Sequence, residues 1–233
     1  MHGPICSECG QKEALPIKAN RVLKDIWSQF LELDFKFVRA IRDIIVRPGI
    51  MINGYISGKR ISYTNPFKLL FFIATAYFLV IQYFDIKIDS FTNSEKDMGR
   101  IVAAFLNYTI FLVLIPTAFF YRLLFARKKL NLSESYVSIC YLWSGYLIIS
   151  ISVALITLPI TQYFVPIKLA FEYFYLVFAI RNVFNLRIIA SIVKALLLLL
   201  SYFLSTMILI SLIILIANLL QYEPLMLNLN LGK

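Results

Sequence analysis

The sequence predicts an all-α, polytopic membrane helix bundle of about five transmembrane helices, and three observations predict it. Hydrophobic residues make up 60% of the 233-residue chain and charged residues only 15%, whereas a soluble domain is nearer half apolar and a quarter charged. The apolar residues gather into runs of about 18 or more, the length that crosses a hydrocarbon core of roughly 30 Å. Lysine and arginine are also shared unevenly among the loops that join these runs.

Residues 1–19 carry the knuckle Cys6-Ser-Glu-Cys9-Gly10. The first apolar run begins only near Leu69, after a polar stretch, so no cleaved signal peptide is expected. Three cysteines with this spacing do not make a disulfide framework, which suits a reducing, cytoplasm-facing N-terminus. Two thiolates on a tight turn form half of a tetrahedral zinc site. Cys6 and Cys9 therefore read in three ways: one half of a Cys₄ zinc site shared by two chains of a homo-oligomer, a knuckle that has lost its metal, or a redox pair. Cys140, alone in an apolar run, reads as a packing residue.

The cytoplasmic or interfacial segment follows at residues 20–67. Apolar residues recur at Val22, Ile26, Phe30, Leu33, Phe37, Ile41 and Ile44, close to the helical period, with Lys24, Glu32, Lys36, Arg39 and Asp43 on the other face. Asn20 is the expected N-cap and Pro48-Gly49 the expected stop. Such a helix either rests in the headgroup plane or packs on the cytoplasmic ends of the bundle. Gly54 and Gly58 are expected to permit a tight turn. Arg39, Arg42, Arg47, Lys59 and Arg60 are assigned to contact with anionic headgroups or a protein partner.

Residues 68–220 hold the five spans. The first, Leu69 to Phe84, is entered through Asn65-Pro66. The second, Ile101 to Phe125, contains Pro116, where a kink is expected. The third, Tyr136 to Pro159, carries Ser138, Ser144, Gly145, Ser150 and Ser152, small residues that let helices approach closely. The fourth, about Gln162 to Ile180, is the least apolar and holds Lys168 and Glu172 one helical turn apart; they read as a structural ion pair or as part of a substrate or ion path. The fifth, Ile192 to Leu220, is nearly all Leu, Ile and Ser and leads to a tail at residues 221–233.

Orientation follows from the loops. Ten cations precede the first span; Arg122, Arg127, Lys128 and Lys129 and then Arg181, Arg187 and Lys194 fall on the same side, against Lys87, Lys96, Arg100 and Lys233 on the other. This predicts an N-terminus in the cytoplasm and a C-terminus outside.

The ordered set Cys6-x-x-Cys9-Gly10, Leu33-Asp34, Arg47-Pro48-Gly49, Tyr55-Ile-Ser-Gly58-Lys59-Arg60 and Asn65-Pro66-Phe67 resembles a bacterial domain-of-unknown-function family. The resemblance covers about residues 5–80 and implies an inner-membrane protein with a zinc-ribbon-like head. Only one of the two knuckles of a fuller ribbon is present.

His2 is the one histidine, so no Ser-His-Asp triad or HExxH zinc site can be assembled. Gly54-Tyr-Ile-Ser-Gly58-Lys59 lacks the spacing of a phosphate loop. Net charge is +10 overall, but the N-terminal region is too weakly basic to favour nucleic acid. The expected function is that of a non-enzymatic inner-membrane scaffold, regulator or assembly partner with a lipid bilayer and an unknown protein as partners. The alternative is a transporter or oligomeric pore, including a defence-associated effector, with Lys168, Glu172 and Pro116 along the path.

Overall fold

In a computed structural model, residues 35–58, 63–84, 96–126, 130–158 and 164–219 are described, and all regular structure among them is helical. Among the described residues seven helices run in chain order: α1 Phe35–Val46, α2 Pro48–Ile56, α3 Pro66–Tyr83, α4 Lys96–Leu124, α5 Leu132–Ile156, α6 Phe164–Phe184 and α7 Ile188–Leu219. Residues from Lys36 onward belong to one compact unit. Cys6, Cys9, Lys59, Arg60, the Arg127–Lys129 loop and the 221–233 tail lie outside the described residues.

Among the described residues three helices are long and apolar enough to cross a membrane, within Pro66–Tyr83, Leu132–Ile156 and Ile188–Leu212, and they fit a membrane protein. The other two expected spans fall short of that measure for identifiable reasons. In α4 the apolar stretch among the described side chains is Thr109–Leu124. In α6 the three charges Lys168, Glu172 and Arg181 dilute the hydropathy.

The central helix is α5: 61% of its apolar stretch is buried, against 22% in α7, which leaves α7 as the peripheral element. Ser138, Ser144, Gly145 and Ser150 of α5 are buried, whereas Ser152 faces outward. Most serine and threonine hydroxyls of the bundle return to a carbonyl of the preceding turn, as Ser144 Oγ does to Cys140 at 2.8 Å and Thr117 Oγ1 to Val113 at 2.7 Å. Such bonds satisfy a hydroxyl without any partner helix. The buried core includes Trp143, Tyr141, Tyr121, Leu69, Leu70, Leu114 and Cys140.

Local chemistry sets the helix ends. Asn65 Oδ1 accepts from the Phe67 N–H at 2.9 Å with Pro66 in the first turn, which starts α3 where the sequence predicts. α5 begins earlier than expected, because the Glu134 carboxylate accepts the Asn131 N–H at 2.8 Å. At the end of α6, Asn185 takes a φ of 52° and turns the chain tightly into α7. Helix α4 continues through Pro116.

Of the Asn20 to Pro48 segment, the expected N-cap Asn20 and the residues up to Asp34 lie outside the described residues. The helix stops at Val46, before Pro48-Gly49 as expected, and that pair also starts a second helix, which was not expected. Proline at a first helical position lacks only an N–H that would be unpaired there anyway. Gly54 lies inside α2, while Gly58, at a φ of 105°, makes the turn after it.

Candidate functional site

Two constellations stand out, one where α1 and α2 dock and one inside the bundle. The docking begins with Pro48. It has no N–H for the carbonyl four residues back, that of Ile44, which would otherwise be left bare near the end of α1. The Tyr175 hydroxyl of α6 donates to that carbonyl at 3.1 Å. Tyr175 reaches it by passing Gly145 of α5, where a Cβ would collide with the phenol ring.

The exchange is mutual. Asn53 Nδ2 of α2 donates to the Val183 carbonyl in the last turn of α6 at 2.9 Å, so α2 caps α6 while α6 caps α1. Gly49 lies directly against the Asn182 backbone, with no room for a side chain. Met51 and Ile52 of α2 are fully buried, and the Tyr55 ring meets Tyr141 edge-on at 5.3 Å. The Tyr141 hydroxyl in turn donates to the Thr64 carbonyl just before α3, at 2.6 Å. At the same end of the bundle Lys194 of α7 donates to the Leu124 carbonyl of α4 at 2.8 Å and sits over the Phe125 ring.

Helix α1 turns Phe37, Ala40, Ile41 and Ile44 toward the core. Asp43, expected on the polar face, is 5% exposed instead. Its Oδ1 accepts from Arg42 Nη2 at 3.0 Å and from Arg47 Nε at 3.2 Å, and two guanidinium partners compensate the burial of the carboxylate. Of the five cations assigned to headgroups or a partner, Arg42 and Arg47 thus hold Asp43 while their side chains stay exposed. Arg39 is exposed, and Lys59 and Arg60 lie outside the described residues.

The second constellation surrounds Glu172, which is 1% exposed in the middle of α6. Lys168 Nζ is 2.9 Å from its Oε1. Two partners come from α5: the Tyr146 hydroxyl donates to Oε2 at 2.5 Å, and Ser150 Oγ donates to Oε1. Tyr146 is held by Trp143, whose ring stacks on it at 5.7 Å and meets Tyr202 of α7 at 4.7 Å. Lys168 also lies over the Tyr146 ring. Both carboxylate oxygens are therefore engaged and one positive charge balances the negative one, the conditions under which a buried carboxylate persists.

Sequence reasoning paired Lys168 with Glu172 but missed Tyr146 and Ser150. The signal was a second four-residue step, Tyr146 to Ser150, on a neighbouring span, where a carboxylate in hydrocarbon must find hydroxyl donors. Among the described residues no group of three or more His, Cys, Asp or Glu comes together, and Cys140 is buried with a free thiol.

No curated protein and no solved structure matches the chain. Residues 34–78, which run from just before α1 into α3, match the family model described as a protein of unknown function (DUF3667).

Proposed function

We propose that this chain is a non-enzymatic inner-membrane scaffold or assembly partner. In this reading α3 to α7 all cross the bilayer and α1–α2 form a cytoplasmic platform at their ends. The observation that carries it is the use made of the distinctive residues of segment 34–78. Asp43, Arg47, Pro48, Gly49, Asn53, Gly58 and Asn65 fix or terminate helices and dock them. A segment built to hold a rigid basic face suits presentation to a partner better than chemistry.

Crossing by α4 and α6 is supported by length. At 1.5 Å per residue the 29 residues of α4 reach roughly 43 Å and the 21 of α6 roughly 31 Å, enough for a hydrocarbon core. The Lys168–Glu172 pair lowers the cost of placing α6 there. Arg122, Arg181, Arg187 and Lys194 fall at the helix ends nearest the α1–α2 platform, which supports a cytoplasmic position for that end. The knuckle Cys6-x-x-Cys9 belongs to the same reading as half of a zinc site that a second chain completes.

A second reading, a transporter or pore, is favoured by Glu172 itself, because intramembrane carboxylates commonly mark ion paths. Two measurements separate them. Photocrosslinking groups placed at Val38 and Val46, both exposed on α1, are expected to give discrete protein adducts in native membranes. Proteoliposomes of the purified chain are expected to hold proton and cation gradients, and a leak abolished by Glu172→Gln would replace the scaffold reading with transport.

A further inference from the structure

We infer that the last turn of α4 carries a binding site for one anionic phospholipid, with its phosphate on Arg122 and an acyl chain along Phe119 and Leu123. Phe119, Arg122, Leu123 and Ala126 follow one another at helical spacing and, with Leu130, line an open cleft of 410 Å³. That volume is large beside the ~30 Å³ share of one water, so the cleft suits a chain better than a solvent molecule. Four of its five lining residues are apolar, and Phe119 and Leu123 are more than half exposed.

Arg122 is the exception, a cation in the last turn of α4 with no hydrogen bond or ion pair among the described residues. Lys194, at the same end of the bundle, behaves differently: that ammonium is taken up by the Leu124 carbonyl and the Phe125 ring. A guanidinium unengaged among the described residues at the end of α4, with exposed Phe119, Ile115 and Leu112 running from it toward the middle of the helix, repeats the order of a phospholipid. Phosphate lies at the interface and hydrocarbon beneath it. A soluble anion would use the arginine and ignore the stripe; a neutral lipid would do the reverse.

The inference rests on membrane residence but not on the scaffold reading. The test uses the full chain in mild detergent, titrated with short-chain phosphatidylglycerol or phosphatidylcholine, with retained lipid counted by native mass spectrometry. Wild type is expected to prefer phosphatidylglycerol by about fivefold, the equivalent of ~1 kcal/mol for one cation at a headgroup. Arg122→Gln is expected to remove that preference and Arg122→Lys to keep most of it. Ala126→Trp, which fills the cleft and keeps the arginine, is expected to lower retention as well, whereas Arg181→Gln, at an exposed site outside the cleft, leaves it unchanged.

Equal retention of the two lipids overturns the site. So does an effect of Arg181→Gln as large as that of Arg122→Gln, which is diffuse attraction, or displacement of the lipid by equimolar glycerol phosphate, which needs no apolar wall. Should Arg122→Gln not fold, the Ala126→Trp and Arg122→Lys arms still decide. A chain that fails to partition into membranes at all would fail the membrane reading itself, a result distinct from loss of this site.

Discussion

Glu172 is the residue whose surroundings set the strongest energetic demand. Its charge is offset by Lys168 on its own helix and distributed over two hydroxyls of α5, so removing one charge differs from removing both. We predict that Glu172→Gln destabilises the bundle by about 3 kcal/mol, because Lys168 is then buried without its counter-charge. Glu172→Gln together with Lys168→Met is expected to cost within about 1 kcal/mol of nothing, since the glutamine oxygen still accepts from a hydroxyl. Thermal unfolding of the three proteins in one detergent checks the order. A double variant that keeps its melting temperature but loses its cellular phenotype would instead identify the pair as functional. Gly49 gives a second contrast at this scale. Alanine is favoured over glycine in a helix interior by about 1 kcal/mol, yet a Cβ here meets the Asn182 backbone, which cannot rotate away. Gly49→Ala is therefore expected to lower the melting temperature, and a rise would show that α2 does not seat on α6 as described.

At the scale of elements, the helices of the docking end complete one another's termini. Pro48 strips a donor from Ile44, Tyr175 replaces it, Asn53 answers at Val183, and Lys194 does the same for α4. Tyr175→Phe is expected to cost about 1–2 kcal/mol by leaving the Ile44 carbonyl unpaired in a buried setting. Because Gly145 makes room for the same ring, Gly145→Ala should cost about 1–3 kcal/mol in the wild type and clearly less in a Tyr175→Leu background. A double-mutant cycle on thermal stability measures that coupling, and strict additivity would deny that Gly145 serves Tyr175. These pairings also limit what could be read beforehand. Helix existence followed from runs and period, and the start of α3 from Asn65-Pro66. The second helix α2 did not follow, because Pro-Gly serves equally as the end of one helix and the start of the next.

For the whole molecule, the proposed topology of five crossings predicts that the Asp85 to Arg100 segment and the C-terminus lie on one side of the membrane and the N-terminus and Arg127-Lys128-Lys129 on the other. In a background without native cysteines, Ser90→Cys is expected to react with an impermeant thiol reagent in outer-membrane-permeabilised cells while Ser7→Cys is protected. The opposite pattern would reverse the orientation, and labelling of both would remove α3, which lies between the two positions, as a crossing.

The sequence by itself determined the helical class, the approximate position of the long helices and the Lys168–Glu172 step, because composition, run length and i,i+4 spacing are local quantities carried by neighbours in the chain. Which helix is central, why Asp43 is buried and how Glu172 finds its other two donors were decided only in the tertiary structure. Tyr146 and Ser150 approach Glu172 from 26 and 22 positions away, and Tyr175 reaches Ile44 across 131. Hydrophobic period does not specify such pairings. They follow from how closely two helices can pack, which here depends on side chains as small as those of Gly49 and Gly145.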